Sequence, residues 1–256
     1  MRVCAVICEY NPFHLGHARQ FAAIRRQLGQ DAAIVCLMSG NFVQRGAPAL
    51  FDRQVRARAA LNCGADLVLE LPVTGSLSSA EGFARAGVSI LSSLCDRLCF
   101  GSETADPKAL MQCAQALLEP GFPEQLRSAL AGGISFPAAR VQALEAMGLP
   151  GAPLEHPNDI LGVEYCKAIL EQEAPMTPVP LPRVGAGHGQ ALAESGHAQF
   201  ASASALRALW AEQGADALAP YVPEKALELY KKAEIDGKYT DFAAAGRCEL
   251  ALLRAA

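Results

Sequence analysis

Residues 8–17 read CEYNPFHLGH, and this stretch decides how the fold begins. An apolar run over residues 3–7 precedes it, and a segment with helical apolar spacing opens at Ala18. The order predicts a buried strand, a polar turn that contains a proline and a glycine, and then an amphipathic helix. Two histidines, His14 and His17, lie on either side of Gly16 where that helix should begin.

This turn is suited to bind an anion. The first N–H groups of a helix have no partner within the helix, and Gly16 lets the backbone approach a ligand closely. The imidazoles of His14 and His17 can stabilise charge that develops on a phosphate during its transfer. One histidine at such a position is more often structural, but two histidines with a glycine and a proline favour function. The His-x-Gly-His pattern therefore predicts a site for a nucleoside triphosphate.

Short apolar runs alternate with helical segments along the chain. This alternation predicts an α/β fold with a doubly wound parallel sheet of five strands. The predicted strands cover residues 3–7, 33–38, 67–71, 98–100 and 177–181. Ligands collect at the carboxyl ends of such strands, so we expect the polar residues that follow each run to converge.

The rest of the chain has mainly helical patterns. Residues 107–149 are rich in Ala, Leu and Gln, with helix breaks at Pro120-Gly121 and Gly132-Gly133. We assign residues 1–212 to a nucleotide-binding domain and residues 213–256 to the start of a helical C-terminal extension.

Composition limits the partners and the compartment. The chain has 22 Lys and Arg against 26 Asp and Glu, a net charge of −4, so an RNA partner would need a local basic patch. The nine cysteines lie mostly in apolar runs without a Cys-x-x-Cys pair, which is typical of buried thiols in a reducing cytosol and predicts no metal site. We expect a cytoplasmic protein, since no apolar stretch is long enough to cross a membrane.

A polar loop and a basic run follow the second predicted strand. The loop over residues 38–48 is typical of an active-site lid or substrate loop. The basic run consists of Arg45, Arg53, Arg56 and Arg58. Its side chains either contact phosphates of ATP or RNA or form a solvated helix face, and the sequence favours neither interpretation. Glu70 and Glu103 are either ligands of a magnesium ion or ordinary ion-paired carboxylates.

Six motifs, in order along the chain, carry a resemblance to a known family. They are ICEYNPFHLGHARQ (7–20), MSGNFVQRG (38–46), GADLVLELP (64–72), FGSE (100–103), NDILGVEY (158–165) and ASASALR (201–207). Together they closely resemble the tRNA(Met) cytidine acetate ligase family, which belongs to the HxGH nucleotidyltransferase-like (HUP) superfamily.

The resemblance implies roles for individual residues. His14, His17 and Arg207 would be catalytic. The nucleotide would be bound by Ile7, Cys8, Glu9, Tyr10, Asn11, Pro12, Phe13, His14, Leu15, Gly16, His17, Ala18, Arg19, Gln20, Gly101, Asn158, Arg183, Ser202 and Ser204. On residue type alone, the alternative role of Ser202 and Asn158 is to cap a helix, and an arginine such as Arg183 in a glycine-rich loop is more often a solvated surface charge.

The resemblance also implies a reaction. ATP, with Mg²⁺, and acetate would form acetyl-adenylate, and the acetyl group would pass to N4 of the wobble cytidine in elongator tRNA(Met). Two alternatives stay open: a nucleotidyltransferase that acts on a small phosphorylated metabolite, and a nucleotide-binding or RNA-binding homologue without turnover. Family members continue beyond the point that corresponds to Ala256, so we expect a short homologue or a piece of a longer protein, with weak acetylation of tRNA.

Overall fold

The computed structural model describes residues 2–44, 46–182 and 201–255. Its five strands form one parallel sheet, in the order β3-β2-β1-β4-β5, which confirms the predicted fold class. The strands are β1 (Val3–Cys8), β2 (Ala33–Ser39), β3 (Leu67–Leu71), β4 (Arg97–Ser102) and β5 (Thr177–Pro182). Each lies within two residues of its predicted bounds. The strand order reverses at β1, and in open parallel sheets ligands bind outside the carboxyl ends of strands at such a point.

Helices connect the strands and make up most of the remaining chain. They are α1 (Leu15–Leu28), α2 (Arg53–Asn62), α3 (Val73–Ser76), α4 (Ala80–Leu91), α5 (Pro107–Leu117), α6 (Phe122–Ala131), α7 (Phe136–Ala146), α8 (Pro157–Glu171), α9 (Ala203–Gln213), α10 (Glu224–Ile235) and α11 (Phe242–Ala255), with 3-10 turns at Ala152–Glu155 and Ala215–Leu218. The two predicted breaks separate α5 from α6 and α6 from α7. None of the helices in the described residues is long and apolar enough to cross a membrane.

The described residues divide into two compact units. The first unit contains residues 2–7, 27–33 and 78–182. The second unit contains residues 8–26, 34–44, 46–77 and 201–255. These boundaries follow packing and not chain order, so each unit is assembled from separate pieces of sequence.

In the first unit, helices pack closely on strands through glycines. A Cβ atom on Gly162 of α8 would lie 2.7 Å from Cε2 of Phe100 in β4, so only glycine permits this approach. At the edge of the sheet, the Thr177 N–H donates to the Asp96 carbonyl (3.0 Å). Because successive backbone groups of a strand point in opposite directions, every second residue of β5 after Thr177 has its backbone nitrogen on the outer side, away from β4. Those residues are Pro178, Pro180 and Pro182, and none of the three offers an N–H group to another strand.

The second unit has an aromatic core beside the turn that follows β1. Tyr10, Phe13, Phe51 and Tyr230 are each at most 1% exposed, and the rings of Phe51 and Tyr230 stack with centroids 4.5 Å apart. The Tyr230 hydroxyl donates to the Phe13 carbonyl (3.1 Å). The core therefore fixes both side chains and backbone of the turn.

Most of the cysteines are buried, as predicted. Every cysteine is free, and Cys248 alone among them is exposed. Cys8 and Cys63 are partly buried, and the other six are buried.

Candidate functional site

The turn after β1 is held by aromatic packing. The peptide bond between Asn11 and Pro12 is cis, and Tyr10 has a φ of 45°. The Tyr10 ring makes edge contacts with Phe13 and His17, with centroids 4.9 and 4.8 Å away. Because these rings lie in the core of the second unit, the turn that carries the histidines is packed into the fold.

The two imidazoles form a stacked pair. The ring centroids of His14 and His17 lie 3.8 Å apart, with an angle of 29° between the planes. The Gly16 N–H donates to His14 Nδ1 (3.1 Å), and the His14 N–H donates to His17 Nδ1 (3.2 Å). Each Nδ1 is thus an acceptor, so a neutral ring at either position carries its proton on Nε2. The backbone therefore presents two Nε2–H donors of fixed orientation.

Gly16 is required by the position of His14. A Cβ atom at residue 16 would lie 2.8 Å from His14 Cε1 and 2.9 Å from His14 Nδ1. The imidazole thus covers the first turn of α1 so closely that any larger residue at position 16 would displace it.

One prediction for this turn was wrong. We expected unpartnered N–H groups of α1 to face an anion, but these donors already have acceptors. The Gly16 N–H bonds to His14 Nδ1, the Leu15 N–H donates to the Tyr221 carbonyl (2.9 Å), and those of His17 and Ala18 reach the His14 carbonyl. The His14 side chain acts as a helix cap, so the imidazoles and not the backbone present the donors.

The start of α9 is brought to the same turn. Arg207 Nη1 donates to the Asn11 carbonyl (2.8 Å), and the Asn11 side chain in turn accepts from the Leu50 N–H (2.7 Å). Ser202 caps α9 by accepting from the Ala205 N–H (3.2 Å), and its hydroxyl lies 3.0 Å from that of Ser204. The second unit therefore places the predicted Ser-x-Ser-x-x-Arg motif beside the histidine turn.

Arg56 lies neither on a basic surface nor on a solvated helix face, so both interpretations of its run are wrong for this residue. The residue is 0% exposed, and burial lowers the pKa of its guanidinium. The guanidinium donates to the carbonyls of Phe51 (2.9 Å), Glu9 (2.5 Å) and Gly40. It joins the turn after β1 to the turn after β2. The sequence of α2 did not indicate this role, because apolar and charged residues are mixed along the helix. Arg58 is exposed, and Arg45 lies outside the described residues.

Glu70 forms an ion pair within the chain. Arg53 Nη1 lies 2.8 Å from Glu70 Oε1 in a half-exposed ion pair, and the Arg53 N–H donates to Asn41 Oδ1 (3.0 Å). A Cβ atom on Gly40 would lie 2.6 Å from the same carboxylate oxygen. The ion-pair interpretation of Glu70 is the one that the structure supports.

In the first unit, two carboxylates cap each other's segments. Glu103 accepts from the Asn158 side-chain amide (2.5 Å) and from the N–H groups of Asn158 and Asp159 at the start of α8. Asp159 is 0% exposed and accepts from the Ser102 hydroxyl and from the N–H groups of Glu103 and Thr104, both at 3.0 Å. We call residues 102–104 with 157–159 the carboxylate clasp. Partial burial raises the pKa of Glu103, but the hydrogen bonds from Asn158 and Asp159 outweigh it and hold the pKa below the ordinary value.

The clasp settles the orientation of one predicted nucleotide contact. A carboxylate only accepts hydrogen bonds, so the Asn158 amide must turn its nitrogen towards Glu103. Gly101 lies in β4 directly before the clasp. Sequence reasoning did not find the bonds of Asp159 to residues 102–104, because these partners are 55 or more residues apart. Arg183 lies outside the described residues.

Comparisons with known proteins match the predicted resemblance. A family model described as HIGH Nucleotidyl Transferase matches residues 1–250. Proteins named tRNA(Met) cytidine acetate ligase from Geobacillus sp. (strain WCH70) and Syntrophotalea carbinolica are 37% and 45% identical, over 90% and 81% of this chain and 59% and 50% of their own length.

Solved structures give the same result. Thermotoga maritima TmcAL bound with alpha-thio ATP is 33% identical with a TM-score of 0.82, and the apo form is 34% identical with a TM-score of 0.85. Both matches cover 93% of this chain, but 57% and 58% of the solved chains. The chain thus spans between half and three fifths of the length of the relatives it matches.

Proposed function

Because the chain belongs to the HIGH nucleotidyl transferase family, we propose that it activates acetate with ATP and passes the acetyl group to N4 of the wobble cytidine of elongator tRNA(Met). The observation that carries the proposal is the stacked pair of His14 and His17, with Arg207 bound to the same turn. The names of the relatives and the ATP analogue in a solved neighbour support this choice of substrates.

The first half-reaction needs an oxygen nucleophile, and the substrate supplies it. Burial raises the pKa values of the Cys8 thiol and the Tyr10 phenol well above their ordinary range, so both stay protonated next to the histidine turn. A carboxylate oxygen of acetate attacks the α-phosphorus of ATP. The new P–O bond forms while the bond to the bridging oxygen breaks, and pyrophosphate leaves with that electron pair. No proton transfer is required.

The histidine turn would stabilise the charge on the phosphates. Nε2–H groups of His14 and His17 donate to phosphate oxygens, and Arg207 adds a guanidinium. Because the Nδ1 atoms are bound by backbone N–H groups, the donors need no reorientation when charge develops. Ser202 and Ser204 would contact the phosphates from the start of α9.

The second half-reaction completes the balance. The N4 amine of the cytidine attacks the acetyl carbonyl carbon, the bond to the phosphate oxygen breaks, and AMP leaves. The amine loses one proton as the amide forms. Ile7 to Gln20, Gly101, Asn158 and Arg183 remain the nucleotide contacts that the family resemblance implies for this reaction.

The described residues do not provide a dedicated magnesium site. Glu70 is paired with Arg53, and Glu103 is occupied by the carboxylate clasp. Among residues 2–44, 46–182 and 201–255, no three His, Cys, Asp or Glu side chains are grouped as metal ligands. We therefore assign no step of the reaction to the ion.

An exchange assay tests the proposal. The chain is incubated with ATP, labelled pyrophosphate and a panel of small carboxylates and phosphate esters, and label in ATP is counted. We expect exchange that depends on acetate. Exchange that depends on a phosphate ester would instead indicate a nucleotidyltransferase of phosphorylated metabolites, and binding of ATP without exchange would indicate a homologue without turnover. Mass spectrometry of digested tRNA would show N4-acetylcytidine and so test the second half-reaction separately.

A further inference from the structure

Ser39 has a buried hydroxyl that the protein does not use. It is the last residue of β2, at the carboxyl end of the strand, and it is 0% exposed. Within the part of the chain that the structure describes, its Oγ has no hydrogen-bond partner. Buried hydroxyls nearly always have one, since an unmade bond is destabilising. A polar group kept in this state at a ligand-binding edge indicates a partner that is not part of the protein.

The backbone that follows Ser39 is fixed from two sides. The Gly40 carbonyl accepts from Arg56, and Gly40 packs so closely on Glu70 that a Cβ atom would clash with its carboxylate. Arg56 also holds the Glu9 carbonyl, one residue before Tyr10. The same guanidinium therefore joins Gly40, the residue after Ser39, to the turn that carries the histidine pair.

The charge around Ser39 favours an anion. Arg56 contacts three neutral carbonyls, and it forms no ion pair within residues 2–44, 46–182 and 201–255. Two carboxylates act on Arg56 without touching it, and each accepts a backbone N–H: Glu9 from Gln44 (3.0 Å) and Asp52 from Gln54 (2.7 Å). A buried positive charge is therefore bound to the carbonyl of the residue that follows an unused donor.

We propose that the Ser39 hydroxyl donates a hydrogen bond to the carboxylate of the acyl substrate, with Arg56 supplying the fixed positive charge of that subsite. The inference rests on the proposed function and adds to it a residue that recognises the second substrate. Ser39 and Arg56 are both 0% exposed, so burial favours a small occupant, a carboxylate of a few atoms such as acetate, over a triphosphate.

Ser39→Ala tests the proposal by separating binding from stability. The substitution removes a hydroxyl that the fold does not use, so Tm should stay equal or rise. Loss of a hydrogen bond to a charged ligand should raise KM for acetate about 10- to 100-fold in pyrophosphate exchange, with KM for ATP within about twofold of the wild type. Ser39→Cys keeps a weaker donor and should give an intermediate KM for acetate.

Ser76→Ala is the matched control, because Ser76 is also buried in the second unit but its hydroxyl donates to the Phe42 carbonyl (2.8 Å). This variant should show the opposite pattern, a lower Tm with an unchanged KM for acetate. A lower Tm of Ser39→Ala with unchanged KM would mean that the hydroxyl has a partner in the protein, and equal rises in both KM values would mean general distortion. Either result overturns the inference. A wild type that exchanges with no carboxylate refutes the proposed function, and this subsite with it.

Discussion

The turn after β1 and the carboxylate clasp after β4 use charged side chains in opposite ways. In the clasp, Glu103 and Asp159 each accept several N–H or O–H donors from the other's segment. At the histidine turn, the guanidinium of Arg56 from α2 is bound by neutral backbone carbonyls. Both arrangements satisfy the charged groups with neutral hydrogen-bond partners, but the clasp holds negative charge and the guanidinium holds positive charge.

This difference separates a structural site from a candidate chemical one. A carboxylate that receives three donors has little capacity left for a metal or a ligand. A guanidinium that donates to carbonyls keeps its full positive charge and raises the local potential for anions. The contrast explains why we assign anion chemistry to the second unit and a positioning role to the clasp.

Replacing Arg56 should give the largest effect. Arg56→Met leaves the carbonyls of Phe51, Glu9 and Gly40 buried without their donor, which should lower the free energy of unfolding by about 3–5 kcal/mol. Chemical denaturation measures the change. The control is Arg58→Met on the exposed face of the same helix, for which we expect less than about 0.5 kcal/mol. Equal, small losses for both variants would contradict the internal role of Arg56.

Replacing a histidine should reduce the rate and preserve the fold. His17→Ala removes one preorganised Nε2–H donor and should lower the rate of pyrophosphate exchange about 10²- to 10³-fold. His156→Ala, at an exposed position of the first unit, should retain the wild-type rate. Nitrogen NMR of the wild type should also show the Nε2–H tautomer at both His14 and His17. The Nδ1–H tautomer at either ring would refute the hydrogen-bond assignment.

The Gly16 substitution changes the histidine pair without removing it. In Gly16→Ala the new Cβ meets the His14 ring at 2.8 Å, so the ring must move, and we expect a loss of about tenfold in exchange. Gly246→Ala is the matched control, since Gly246 is also helical but a Cβ there has no neighbour within 4 Å. It should stabilise the protein by about 0.5–1 kcal/mol and leave exchange unchanged. An unchanged rate in Gly16→Ala would show that the position of His14 is not critical.

The sequence predicted elements and motifs well because both are local. The apolar runs gave all five strands, and the spacing around Gly16 indicated the strand, turn and helix. The sequence could not distinguish buried Arg56 from exposed Arg58, two residues away on the same helix, because burial depends on what packs against each helix face. The tertiary partners of Asp159 were missed for the same reason. Side-chain capping by His14 was also missed, since the sequence shows the donors of a helix start but not which acceptors reach them.

The smallest expected effect concerns the pH dependence of the clasp. The pKa of Glu103 is lower in the folded protein than the ordinary value of about 4.3. Its contribution to stability is therefore complete above that value and is lost as the pH falls through the lowered folded pKa. Glu103→Gln cannot titrate and should lose less stability than the wild type in this interval. Thermal unfolding between about pH 5 and pH 3 measures the difference, and Glu124→Gln, at an exposed position on α6, should follow the wild type. If Tm falls equally with pH in the wild type and in Glu103→Gln, the Glu103 carboxylate is not held by the donors of α8. The comparison between the carboxylate clasp and the histidine turn would then no longer hold for the clasp.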